Sequence, residues 1–388
     1  MALKTLGLCT MSALVVAATA QPVVAGKESD TLNWATDREV SVVDQYYNNT
    51  REAIIMGQLF SDGLVLRNVE TGDYEPLLAT DWEWKDNTTI EFTLRKGVTF
   101  HDGTKFSADD AVYTLNFVSE PDSGVLFSRS VSWIDSAEKL GPYKIRLNLK
   151  EPFPAAFAYL SNSIPMRPEG HYDDVPQKAD GSMDYAQADP IGTGPYVVTD
   201  VKPGQYVMME ANGDYFGGPK GDPEIGNIRF RTITEMNTQM AELMTGGLDW
   251  IWDVPKDQAE RLRGRPGLTV ENAKTMRVSY LAFDVDGDSS TDVFTNKKVR
   301  MAVAHAIDRQ AIAKNLVGEA SEVIHAPCHP SQFGCIETGL PRWEHDPAKA
   351  KQLLEEAGYP DGFEFDIYAY RQREFTEAVI GDLAKVGI

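Results

Sequence analysis

The residues with the strongest metal-binding chemistry fall in two short stretches. Asp284, Asp286 and Asp288, in the run DVDGDSSTD, put carboxylates at alternating positions, as the first three ligands of a calcium loop do. The rest of such a loop is missing: Ser289 stands where a glycine makes the sharp turn, and Thr295 where a bidentate glutamate closes the shell. A solvated loop after a strand at 280–283 is expected instead. His325, Cys328, His329 and Cys335 offer the nitrogen and sulfur that zinc accepts. The cysteine count favours a disulfide: Cys9 leaves with an export signal, so Cys328 and Cys335 remain as one pair in an oxidising compartment. Closing so short a loop constrains the unfolded chain by about 2–3 kcal/mol.

Catalytic constellations are not found by motif. The chain has no G-x-S-x-G, H-E-x-x-H or G-x-x-x-x-G-K-[ST], and none of its six histidines sits in a strong motif. No catalytic residue, metal or cofactor is assigned, and binding rather than reaction is expected.

The N-terminus says where the protein works. One Lys4 precedes a small, apolar run over 6–20, followed by Val23-Val24-Ala25, the pattern of a cleaved secretory signal occupying 1–25. That core is shorter than the roughly 20 residues a membrane span needs, so a soluble periplasmic protein is expected. A net charge of −21 over 388 residues argues against nucleic acid and anionic membranes as partners.

Elements that would position a site follow from periodicity. Ile90, Phe92 and Leu94 alternate with polar neighbours, as do Ile145, Leu147 and Leu149, giving two half-buried strands. Lys202-Pro203-Gly204 turns a hairpin. Ser107 and Asp110 form a capping box before a helix. Val299, Ala302, Val303, Ala306 and Ile307 lie on one helical face behind the cap Asn296, and Asp346-Pro347 opens another helix stopped by Gly358. A strand is expected from 363 and a helix over about 374–386. This mixture is α/β with more than one sheet.

Several segments together resemble the peptide/nickel (family 5) type of extracytoplasmic solute-binding protein: 76–117 (PLLATDWEWKDNTTIEFTLRKGVTFHDGTKFSADDAVYTLNF), GTGPY at 192–196, 296–317 and 346–365. The resemblance implies a type II periplasmic binding fold, with two lobes closing about a hinge plus an extra α/β domain. The lobes would be 26–70 with 187–277, and 278–388; the extra domain would be 71–186. It implies a monomer that hands a small solute, a short peptide in the first reading, to an ABC permease and its ATPase. It places Tyr46, Asn48 and Thr50 on a strand facing the ligand, and Trp252 and Asp253 near the same cleft. For Trp250 and Trp252, simple packing alternation is an equal reading. Arg371 or Arg373 falls where relatives hold a peptide carboxylate, a task suited to a guanidinium fork. Non-peptide solutes such as a nickel chelate, haem, a sugar or an opine are the alternative, and a secreted hydrolase a more distant one. Relatives continue past residue 388, so the second lobe is expected to be incomplete and residues 1–388 alone to form no competent binding unit.

If either arginine meets a buried carboxylate, Arg371→Ala or Arg373→Ala should weaken ligand binding by about 2–5 kcal/mol. Calorimetry on each variant decides this, and unchanged affinity in both removes the assignment.

Overall fold

The structure, a computed structural model, describes residues 26–318, 320–369 and 373–388. The export segment with Cys9, and Arg371, lie outside these residues. The chain divides into two compact units after Trp252.

In the first unit the strands are β1 (Thr31–Thr36), β2 (Val65–Arg67), β3 (Tyr74–Pro76), β4 (Ala79–Asp86), β5 (Thr89–Leu94), β6 (Ile134–Gly141), β7 (Lys144–Leu149), β8 (Tyr196–Lys202), β9 (Tyr206–Ala211), β10 (Asn227–Thr232) and β11 (Trp250–Ile251). Its helices are α1 (Arg51–Phe60), α2 (Ala108–Ser119), α3 (Ala156–Asn162) and α4 (Met236–Thr245). One sheet has the order β11-β1-β10-β9-β8, with β1 parallel to both β10 and β11. A second, antiparallel sheet has the order β4-β5-β7-β6. The expected alternation holds: Ile90, Phe92, Leu94, Ile145, Leu147 and Leu149 are buried. So does the hairpin β8–β9, where Gly204 takes a φ of 71° that other residues rarely adopt. Ser107 and Asp110 complete the capping box on α2.

The GTGPY motif proves to be a junction. Its glycines run against the end of α1, where a Cβ on Gly192 would lie 2.0 Å from the Phe60 carbonyl oxygen and one on Gly194 2.5 Å from the Phe60 carbonyl carbon. His101 donates its backbone N–H to the Gly192 carbonyl (2.9 Å) and sets Nε2 3.0 Å from the Gly194 carbonyl. Lys220 Nζ donates to the α1 carbonyls of Gln58 (2.6 Å) and to that of Ser61 (2.9 Å). It also pairs with buried Asp62 (2.8 Å), which accepts from Thr193 Oγ1 (2.9 Å). A cation at the carbonyl end of a helix meets its negative pole.

A buried ion pair joins residues far apart in the chain. Asp44 Oδ1 lies 3.1 Å from Arg167 Nη2, its Oδ2 accepts from Tyr172 Oη at 2.6 Å, and Oδ1 also accepts the Tyr46 backbone N–H at 3.1 Å. Burial alone would raise the Asp44 pKa, but the Arg167 charge and these hydrogen bonds outweigh it and hold the carboxyl below its usual range. His171, beside this pair, is driven down to about 4 by burial and by the Arg167 charge.

The second unit carries α5 (Lys256–Leu262), α6 (Lys297–Ala306), α7 (Arg309–Ile312), α8 (Pro347–Glu356) and α9 (Arg373–Ala384). Val299, Ala302, Val303 and Ala306 of α6 pack in one core with Ala350, Leu353 and Leu354 of α8 and Leu383 of α9. The caps Asn296 and Asp346 are in place. Two expected strands are not formed: 280–283 and 363–369 are extended segments outside any ladder. Their alternation still buries one face, with Phe283 and Phe365 5.1 and 4.9 Å from Phe294. A strand also needs a hydrogen-bonded neighbour, and no described residue of this unit supplies one. Asp284 closes the turn after 280–283 by accepting the N–H groups of Gly287 (3.0 Å) and Ser289 (2.7 Å). Cys328 and Cys335 are bonded, with an S–S distance of 2.05 Å.

Two outcomes test the buried network. Arg167→Met strands the Asp44 carboxylate and should cost about 3–5 kcal/mol in a denaturant titration. The depressed His171 pKa means that the unfolded chain takes up a proton first as pH falls. Stability should therefore be fully present above about pH 6.5 and drop as pH falls toward 4. Depressed Asp44 adds a further loss below about pH 4. His171→Gln should flatten the limb between those values in melts run across pH, and an unchanged limb would rule out the assignment.

Candidate functional site

In open α/β sheets the crevice for a ligand lies beyond the carboxyl ends of parallel strands. In the first unit these ends belong to β1, β10 and β11. Thr36 ends β1, paired with Thr232 of β10, and Trp252 directly follows β11. The next element, α1, begins here because Thr50 accepts the Ala53 N–H through Oγ1 (3.3 Å), a side-chain N-cap.

That cap delivers Arg51 and Glu52 to the strand ends. The Arg51 guanidinium lies 3.9 Å from the centroid of the Trp252 ring, a cation–π contact, and Arg51 Nη2 is 3.3 Å from Glu52 Oε1. Thr36 Oγ1 joins the same carboxylate oxygen (3.4 Å) and accepts from Trp252 Nε1 (3.3 Å). Glu52 is fully buried and its Oε2 has no hydrogen-bond partner among the described residues. Trp252 packs edge-on against Trp34, and Trp250 stacks on Trp34 with centroids 5.2 Å apart while remaining 47% exposed. Both tryptophans thus pack on Trp34, Trp250 as the more exposed ring and Trp252 as the half-buried one. The cluster leaves the Arg51 guanidinium and the Trp252 indole partly exposed, while the buried Glu52 carboxylate stands behind them. The hydroxyls of Thr36 and Thr50 serve the scaffold, so the arrangement suits holding a polar or planar group rather than attacking one.

Other expected residues are placed differently. Tyr46 is only 2% exposed and donates its hydroxyl to the Pro165 carbonyl (2.8 Å), which makes it part of the core. Asn48 donates Nδ2 to the Val42 carbonyl (2.8 Å) and accepts the Thr50 N–H through Oδ1 (3.0 Å). Residues 45–47 form a turn and 48–50 lie outside any strand, unlike the strand the resemblance implies, because Asp44 and Asn48 draw nearby N–H groups onto their own side chains. Asp253 opens the second unit with a φ of 55°. Arg373 begins α9, with its side chain 90% exposed and Nε 2.7 Å from Glu377 Oε1 one turn on. Arg371 lies outside the described residues.

Sequence reasoning missed Thr36, Arg51 and Glu52, although an acidic residue just after an N-cap was a usable sign of the helix start. It also missed Leu126 and Phe127, exposed by 58% and 51%. The Leu126 N–H donates to the Tyr46 carbonyl (3.0 Å), which brings this apolar pair beside the 45–47 turn.

Comparison with known proteins agrees with this architecture. The glutathione-binding protein GsiB of Salmonella choleraesuis is 29% identical over 313 residues, covering 78% of this chain and 57% of that protein. The chain therefore spans less than two thirds of the length of this relative. The periplasmic binding protein DppA of Helicobacter pylori, solved with the peptide STSA, superposes with a TM-score of 0.76 at 25% identity, over 92% of this chain and 72% of that one. NikZ of Campylobacter jejuni, solved with Ni(L-His), gives a TM-score of 0.70 at 26% identity over 84% and 63%. The α/β architecture is thus that of type II periplasmic binding proteins. No helix among the described residues is long and apolar enough to cross a membrane. Residues 73–388 match the family described as bacterial extracellular solute-binding proteins, family 5 Middle, and with most of its length inside that match the chain belongs to this family.

Proposed function

We propose that the protein captures a short peptide outside the cytoplasm and presents it to an ABC permease and ATPase, leaving the solute chemically unchanged. The observation that carries this reading is the polar, aromatic cluster of Thr36, Arg51, Glu52 and Trp252 at the parallel strand ends. It occurs in a chain whose fold follows that of a protein solved with a bound peptide. In this reading the secretory signal at 1–25 delivers a monomer to the periplasm. Residues 26–70 with 187–277 form one lobe, 71–186 the extra domain and 278–388 the other lobe. Leu126 and Phe127 give an apolar surface for a side chain, while backbone pairing leaves sequence choice open. Arg371 or Arg373 holds the carboxylate.

A second reading is a metal chelate or other non-peptide solute, favoured by the comparable superposition on NikZ with Ni(L-His). Native mass spectrometry of the gently purified full-length protein separates the two. Intact short peptides should copurify and should raise the melting temperature when added back. Only nickel or a chelate copurifying would sink the peptide reading, and turnover of added peptide would sink the binding-only one.

A further inference from the structure

The second unit holds a cavity of about 90 Å³, well above the space one water needs, between the start of α7 and the segments around 325 and 343. Asp308, Arg309, His325, Arg342, Trp343 and His345 are among its walls. Its Asp308 carboxylate is engaged, accepting the Ala311 N–H at 2.9 Å and lying 3.5 Å from His345 Nδ1. Its Arg309 is engaged only in part. Arg309 donates Nη2 to the Trp343 carbonyl, while its Nε and Nη1 reach no acceptor among the described residues. Burial draws the Arg309 guanidinium below its ordinary value, with the Glu344 charge acting in the opposite sense. His325 Nδ1 is buried without a partner among the described residues.

A half-buried guanidinium with N–H groups open to solvent, beside a second arginine and an imidazole nitrogen without a partner among the described residues, can take a further acceptor. The planar fork of arginine matches the paired oxygens of a carboxylate or phosphate. We infer that this cavity binds a small oxyanion, one carboxylate or phosphate group in size, through Arg309, Arg342 and His325. The site lies within the second unit and shares no residue with the cluster around Trp252, so it stands whatever the transported solute proves to be.

Inorganic phosphate and acetate are the probes, each titrated separately into the full-length protein at constant ionic strength. Binding is read by calorimetry and by the His325 ring resonances. Saturable one-site binding of either probe is expected, with matching shifts at His325; the probe that binds more tightly identifies a phosphate or a carboxylate as the natural group. Arg342→Ser and His325→Gln should each weaken it by roughly tenfold or more, the loss of one charge-assisted hydrogen bond. Because Arg309 also fastens the Trp343 carbonyl, Arg309→Lys, which keeps the charge, replaces its alanine variant. No saturation with either probe, or equal affinity in Arg342→Ser and His325→Gln, would overturn the site.

Discussion

The ion pair between Asp44 and Arg167 is the constraint on which the first unit depends. Two charges buried this deeply cost several kcal/mol each in lost hydration, so they persist only when geometry and added hydrogen bonds compensate. Asp44 meets that demand with Arg167, Tyr172 and the Tyr46 N–H. The same contacts leave residues 44–46 little freedom. The turn that leads into α1 is thus anchored by a residue more than a hundred positions away.

Helix α1 is then held at both ends by different physics. Its start is fixed by the Thr50 side chain, and its end by Lys220 on the carbonyls and by two glycines that approach closer than any side chain allows. Movement of this helix would carry Arg51 and Glu52 away from Thr36 and Trp252. The candidate site is therefore as well positioned as the junction beneath it, although GTGPY touches none of its residues in the contacts described.

The second unit rests on a different principle. Helices α6 and α8 share a close-packed apolar core, and the aromatic segments around Phe283 and Phe365 cover it without ladder bonds. Hydrophobic burial is non-directional, so it places a segment against a core without specifying a strand partner. The disulfide at Cys328 ties one loop of this unit locally and does not reach its core.

Local chemistry was legible in the sequence: the capping box at Ser107, the caps Asn296 and Asp346, the turn at Gly204, the strands around Phe92 and Leu147, and the pairing of Cys328 with Cys335. Each depends on residues within a few positions of one another, where dihedral preference and periodicity decide. Assignments that needed a distant partner fared differently. Tyr46 reads as a residue of a ligand-facing strand until Pro165 is placed beside it, and 363–369 as a strand until a neighbouring strand is sought. Thr36, Arg51 and Trp252 become one cluster only when β1 pairs with β11 across more than two hundred residues. Sequence alone determined the helix caps, the hairpin turn, the locally paired strands and, through extended motifs, the family. Tertiary structure decided which side chains meet, because pairing and burial depend on proximity in space, which local spacing does not encode.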